Sequence, residues 1–139
     1  MPARIQPLVP AGVLRHTSDV MRSMGPEISR VGEAAVVALA GSFDSTSLPA
    51  VATQVDRLLD AGTSRLVFDF RKVVFVNSSS LGYVLRAQRR AETAGGGLVL
   101  VLAEGFLRSV IATLGLDRRV AVVSTVEEAV ARLATPRTA

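Results

Sequence analysis

Residues 65–103 read RLVFDFRKVVFVNSSSLGYVLRAQRRAETAGGGLVLVLA, and this stretch decides the fold class. Arg65 to Phe70 is rich in β-branched and aromatic residues, the composition of a buried strand. Leu81, Val84, Leu85 and Ala91 then share one helical stripe; the serines before them supply an amino-terminal cap and Gly95 to Gly97 a stop. The spacing therefore predicts a helix over Ser79–Thr93. Leu98 to Ala103 (LVLVLA) follows as a second central strand. A strand, one helix and another strand make a right-handed crossover between parallel neighbours.

The same grammar extends in both directions. Upstream, Ile28 to Arg30 and Ala35 to Ala40 read as a hairpin turning at Val31, Gly32 and Glu33, and AVVALA is the continuous apolar run of a central strand. Gly41 is expected to end that strand. Asp44, Ser45 and Thr46 are candidate caps for a helix whose face is Leu48, Val51, Val55, Leu58 and Leu59, stopped by Gly62. Downstream, Phe106 to Leu114 is a short amphipathic helix ended by Gly115, and Val120 to Val123 is an edge-like strand. Thr125 with Glu128 three residues later is a capping box for a last helix. The expected class is α/β: a mostly parallel central sheet, an amino-terminal antiparallel hairpin and about four helices.

The 139 residues suffice for one core, expected over residues 27–135, with a weakly structured, proline-interrupted extension over 1–26 and a tail over 136–139. Hydrophobic residues at 49% and charged residues at 20% provide the apolar surface that folding requires. Cysteine is absent, which excludes disulfides, thiolate catalysis and cysteine-ligated zinc. The single histidine, His16, sits in the extension, so no acid–base pair is in prospect: neither enzyme activity nor a metal or cofactor is expected. Three glycines precede a strand instead of following one, which does not fit a dinucleotide fingerprint.

The net charge is +4, and fifteen of the sixteen basic residues are arginine, yet no run of five like charges occurs. Arg86, Arg89 and Arg90 therefore read as a solvated helix face and Arg118 and Arg119 as a polar turn, with no direct nucleic-acid partner. Asp69 reads as a loop-end or capping group. No apolar run approaches the ~20 residues of a membrane helix, so a cytoplasmic protein is expected.

The unusual place is the junction Phe75-Val76-Asn77-Ser78-Ser79-Ser80-Leu81-Gly82. Three hydroxyls stand at a helix amino terminus, where unpaired amides and the macrodipole favour negative charge, so a phosphate would be well placed. The plainer reading is that Asn77 or Ser78 is the cap and its neighbours fill a polar first turn. Ser80 and Gly82 stand where a helix prefers alanine, a mild sign that surface chemistry constrains the turn.

The element order, ALAGSFD (Ala38 to Asp44), FVNSSSLGYVL (Phe75 to Leu85), AGGGLVLV (Ala94 to Val101) and FLRSVIATLGLDRRV (Phe106 to Val120) together resemble the STAS-domain anti-sigma factor antagonists, over roughly Glu27 to Leu133. That resemblance implies a STAS-type layer fold and a binding module switched by phosphorylation. It implies Ser78 as phosphoacceptor, with Ser79 as second choice, and Asp44 beside it on a partner-facing surface that includes Asn77, Ser79, Ser80, Leu81, Gly82 and Tyr83. The implied partner is an anti-sigma factor serine kinase of the histidine-kinase-like ATPase type, whose capture frees a sigma factor, with a serine phosphatase to reset the switch. Two positions depart from the family pattern: Asn77 replaces an aspartate and Ser80 a glycine. The rival reading is a non-phosphorylated STAS subunit of a membrane transport or stress-signalling assembly, in which Ser78 to Ser80 only cap the helix.

Overall fold

The computed structural model describes residues 25–134. Apart from Gly25 and Pro26, the expected extension, its His16 and the carboxy-terminal tail lie outside the described residues. Five strands form one sheet in the order β1-β2-β3-β4-β5: β1 (Glu27–Val31), β2 (Ala34–Phe43), β3 (Arg65–Val76), β4 (Gly97–Val101) and β5 (Ala121–Val123). β1 runs antiparallel to β2, and the other three pairings are parallel. The helices are α1 (Leu48–Asp60), α2 (Ser78–Thr93), α3 (Phe106–Thr113) and α4 (Val126–Ala134), with a 3-10 turn at Leu116–Arg118.

Period-two alternation assigns each strand residue to a face. Val37, Phe68, Leu100 and Val122 stand in register across four strands, and the first three are buried in the larger core together with Val51 and Val55 of α1, Val84, Ala87 and Ala91 of α2 and Ile111 of α3. Their neighbours Val36, Val67 and Val99 point the other way, into a smaller core closed by Ala129, Val126, Val130 and Leu133 of α4. Three crossovers stepping the same way along the sheet put α1, α2 and α3 on one face. Among the described residues, α4, which follows the last strand, covers the other. The parallel sheet is thus shielded on both sides, as its continuous apolar strands require.

Three expectations from the sequence are corrected here. β2 does not end at Gly41, and β3 does not end at Phe70. Gly41 takes a positive φ of 77°, and the β2–β3 register shifts between Ala38 and Ala40 and again between Gly41 and Ser42. Each irregularity absorbs a residue that would otherwise break the alternation, so both strands continue and Phe43 is buried edge-on to Phe70, ring centroids 5.2 Å apart. Asp69 lies inside β3 and is no loop-end group: its oxygens accept from Arg71 Nε at 2.9 Å and Nη2 at 2.8 Å. This fork holds the carboxyl below its ordinary value against the opposing effect of burial.

Candidate functional site

The prolonged strands build the site. Phe43 pairs with Val76, so Asp44 and Asn77 are the first residues past two neighbouring strand ends. Asp44 is fixed by its own turn: its Oδ1 accepts from the Thr46 amide at 3.0 Å, its amide donates to Ser47 Oγ at 3.1 Å, and its carbonyl accepts the Leu48 amide. The residue preceding α1 is therefore Ser47, not Asp44, Ser45 or Thr46. Its hydroxyl is directed back to the Ser42 carbonyl at 2.8 Å instead of capping the helix. Pro49 in the first turn compensates, because a proline there has no amide to leave unpaired.

Across from Asp44, Asn77 is extended (φ −125°, ψ 178°) and caps α2. Its Oδ1 accepts from the Ser80 amide at 2.9 Å, while Ser80 Oγ accepts from the Asn77 amide at 3.0 Å and donates to the Asn77 carbonyl at 2.9 Å. This reciprocal box explains the serine that departs from the family pattern: a glycine there would supply nothing, and Ser80 closes the half of the box that Asn77, like an aspartate, opens. Ser80 is 0% exposed. Its side chain cannot meet a partner, which corrects the reading that placed it on the docking surface.

Tyr83 is also no surface group, being 6% exposed. Burial pushes its phenol up to about 12, and its hydroxyl has no hydrogen-bond partner among the described residues. The Arg86 guanidinium lies over the Tyr83 ring at 5.9 Å and beside Gly82, whose missing side chain leaves that space open. Leu81 and Gly82 are half-buried, with Leu81 packed against the larger core. Ser78 and Ser79 remain. Both are exposed, and neither hydroxyl makes a hydrogen bond among the described residues. Their amides belong to the first helical turn, which has no intrahelical acceptors, and no acidic residue occupies that turn. The structure thus separates three consecutive serines into one that builds the cap and two that are chemically accessible.

The sequence reading missed two exposed apolar groups just before this turn. Val74 and Phe75, near the end of β3, are 75% and 50% exposed, and they became visible as surface residues only once β3 was seen to run on past Phe70. No histidine occurs among the described residues, and Asp44 Oδ1 is engaged in its own turn. No group of three or more metal-ligating side chains occurs among the described residues.

Residues 27–127 match the family described as "Mlab, STAS domain". The chain belongs to the STAS-domain family. This STAS domain is similar in fold to an anti-sigma factor antagonist from Mycobacterium paratuberculosis, with a TM-score of 0.71 at 20% identity over 79% of this chain and 93% of that one. It is also similar to the unphosphorylated anti-sigma factor antagonist SpoIIAA, with a TM-score of 0.59 at 22% identity over 78% of this chain and 96% of that one. The phosphorylated form of the Bacillus cell fate determinant SpoIIAA matches with a TM-score of 0.58 at 24% identity, over 78% and 98% of the two chains. No curated protein matches the sequence. The architecture of the described residues is that of the anti-sigma factor antagonists: four helices and a five-stranded, mostly parallel sheet opened by an antiparallel hairpin. No helix among the described residues is long and apolar enough to cross a membrane.

Proposed function

We propose that this STAS domain is an anti-sigma factor antagonist, a binding module without enzymatic activity of its own, whose docking is switched by phosphorylation of Ser78. The observation that carries the reading is the separation of the three serines: Ser78 is exposed and unbonded at the start of a sixteen-residue helix, while Ser80 holds that helix in place from below. A kinase can therefore reach Ser78 without unfolding the turn. Ser79 shares the exposure and is the second choice; Asp44, Asn77, Leu81 and Gly82 complete the surface that the partner meets.

The switch follows from charge. Phosphorylation adds about −1.5 to −2 units at pH 7. Within this protein the free first-turn amides and the positive end of the helix accept that charge. A partner that packs on the apolar Val74 and Phe75 next to the junction would have to desolvate it, so the modified form lets go. The unmodified form captures a histidine-kinase-like anti-sigma kinase and frees a sigma factor, and a serine phosphatase restores it.

A second reading is favoured by Asn77. The capping box accounts for Asn77 and Ser80 as structure, and in this reading the chain would be a non-phosphorylated STAS subunit of a membrane transport or stress-signalling assembly. Co-purification from the native cell separates the two. Recovery of a histidine-kinase-like ATPase, retained by wild type and weakened by Ser78→Asp, supports the switch; recovery of a transporter ATPase, indifferent to that substitution, overturns it.

A further inference from the structure

At the opposite edge of the sheet, where β3, β4 and β5 begin, a second surface has a chemistry that the Ser78 site does not use. Six arginines among the described residues have neither an ion pair nor a side-chain hydrogen bond, and four of them, Arg89, Arg118, Arg119 and Arg132, line two adjoining depressions. They come from separate places in the chain: α2, the 3-10 turn, the residue after it and the last turn of α4. Arg119 rims both depressions. The larger is an open cleft of about 910 Å³ floored by Gly96, Gly97, Leu98 and Val99.

Ordinary helix stabilisation does not account for the four. An arginine that serves a helix carboxy terminus bonds its last carbonyls, and among the described residues none of these guanidiniums donates to a carbonyl, whereas Arg108 elsewhere donates to the Leu102 carbonyl at 3.2 Å. Two acids, Glu92 and Asp117, line the same depressions as the four arginines, so the cations outnumber the anions there. Each guanidinium presents a planar fork suited to a carboxylate.

We infer that this arginine-lined surface docks an acidic polypeptide segment of a partner protein, at the edge of the sheet away from Ser78. Four exposed cations spread over two open depressions fit several carboxylates spaced along a chain better than one compact anion. Among the described residues no aromatic side chain lines either depression, so they offer nothing for a nucleic-acid base to stack on. The surface contributes long-range attraction and register, with affinity that falls as salt screens it.

Fluorescence anisotropy of a labelled deca-glutamate peptide against the full chain at low salt tests this. Binding that weakens with added salt is expected, and the combined Arg118→Ser, Arg119→Ser, Arg132→Ser variant is expected to lose about tenfold in affinity, as three exposed pairs of ordinary strength would give. Arg86→Ser, outside both depressions on the same helix as Arg89, should leave binding unchanged. Circular dichroism checks that the triple variant keeps its fold, and should it not, Arg132→Ser alone is expected to show a smaller loss of the same sign. Equal binding by wild type and the folded variant, no binding at low salt, or tighter binding of an oligothymidylate of equal charge would each overturn the assignment. None of these outcomes depends on whether Ser78 accepts phosphate.

Discussion

Three serines in a row look alike in a sequence, and their difference lies in which amide each can reach. Ser80 Oγ bonds the Asn77 amide and carbonyl from a fully buried position, so Ser80→Ala should cost about 1–2 kcal/mol in a denaturant melt. The same variant should remain competent for modification at Ser78, because the Asn77 Oδ1 half of the box survives. Asp69 makes a separate prediction about pH. Its folded-state value lies below the ordinary 3.8, chiefly because Arg71 bonds it, so its contribution is fully present above that value and is lost as pH falls through the lower folded one. Asp69→Asn should therefore lower stability by about 1 kcal/mol near neutrality. The gap to wild type should close in urea melts as pH falls through that lowered value. A gap that stayed constant with pH would mean that packing, not the ion pair, is what Asp69 supplies.

At the scale of elements, what the sequence made legible is what local chemistry decides. Gly115 adopts a φ of 74° directly after α3, as the Leu-Gly-Leu stop implied, and the Thr125 amide bonds Glu128 Oε1 while the Glu128 amide bonds Thr125 Oγ1, both at 3.1 Å. Gly115→Val should then destabilise the fold by about 1–2 kcal/mol, the penalty of a side chain in the left-handed region, whereas Gly115→Asn should cost less. Gly96 carries a different constraint, since a Cβ there would collide with the Ser64 carbonyl oxygen, against the loop that starts β3. Gly96→Ala should lower the melting midpoint more than Gly115→Asn does. The lengths of β2 and β3 were not legible, because bulges at Ala38–Ala40 and Gly41–Ser42 depend on the partner strand and not on either sequence alone. For the same reason the neighbouring positions of Asp44 and Asn77 were implied only by family resemblance. Ser80 escaped because its burial follows from the reciprocal box, and a capping serine and an exposed one have the same local spacing.

For the whole molecule, the sheet separates two surfaces. Ser78 and the apolar end of β3 lie at the end where β2 and β3 finish, and the unpaired arginines lie where β3, β4 and β5 begin. A partner can engage one without covering the other, so loss of docking on phosphorylation need not disturb contacts at the far edge. Switching at the first surface depends on one hydroxyl, that of Ser78. Intact-mass measurement of the full chain after incubation with ATP and its histidine-kinase-like partner, followed by fragmentation to locate the label, tests it most directly. A single phosphoryl group on Ser78, none on Ser78→Ala, and partner release in step with labelling are expected. An unlabelled wild type that still binds the partner, with label appearing only on Asn77→Asp, would contradict the switch and make this chain a constitutive binder.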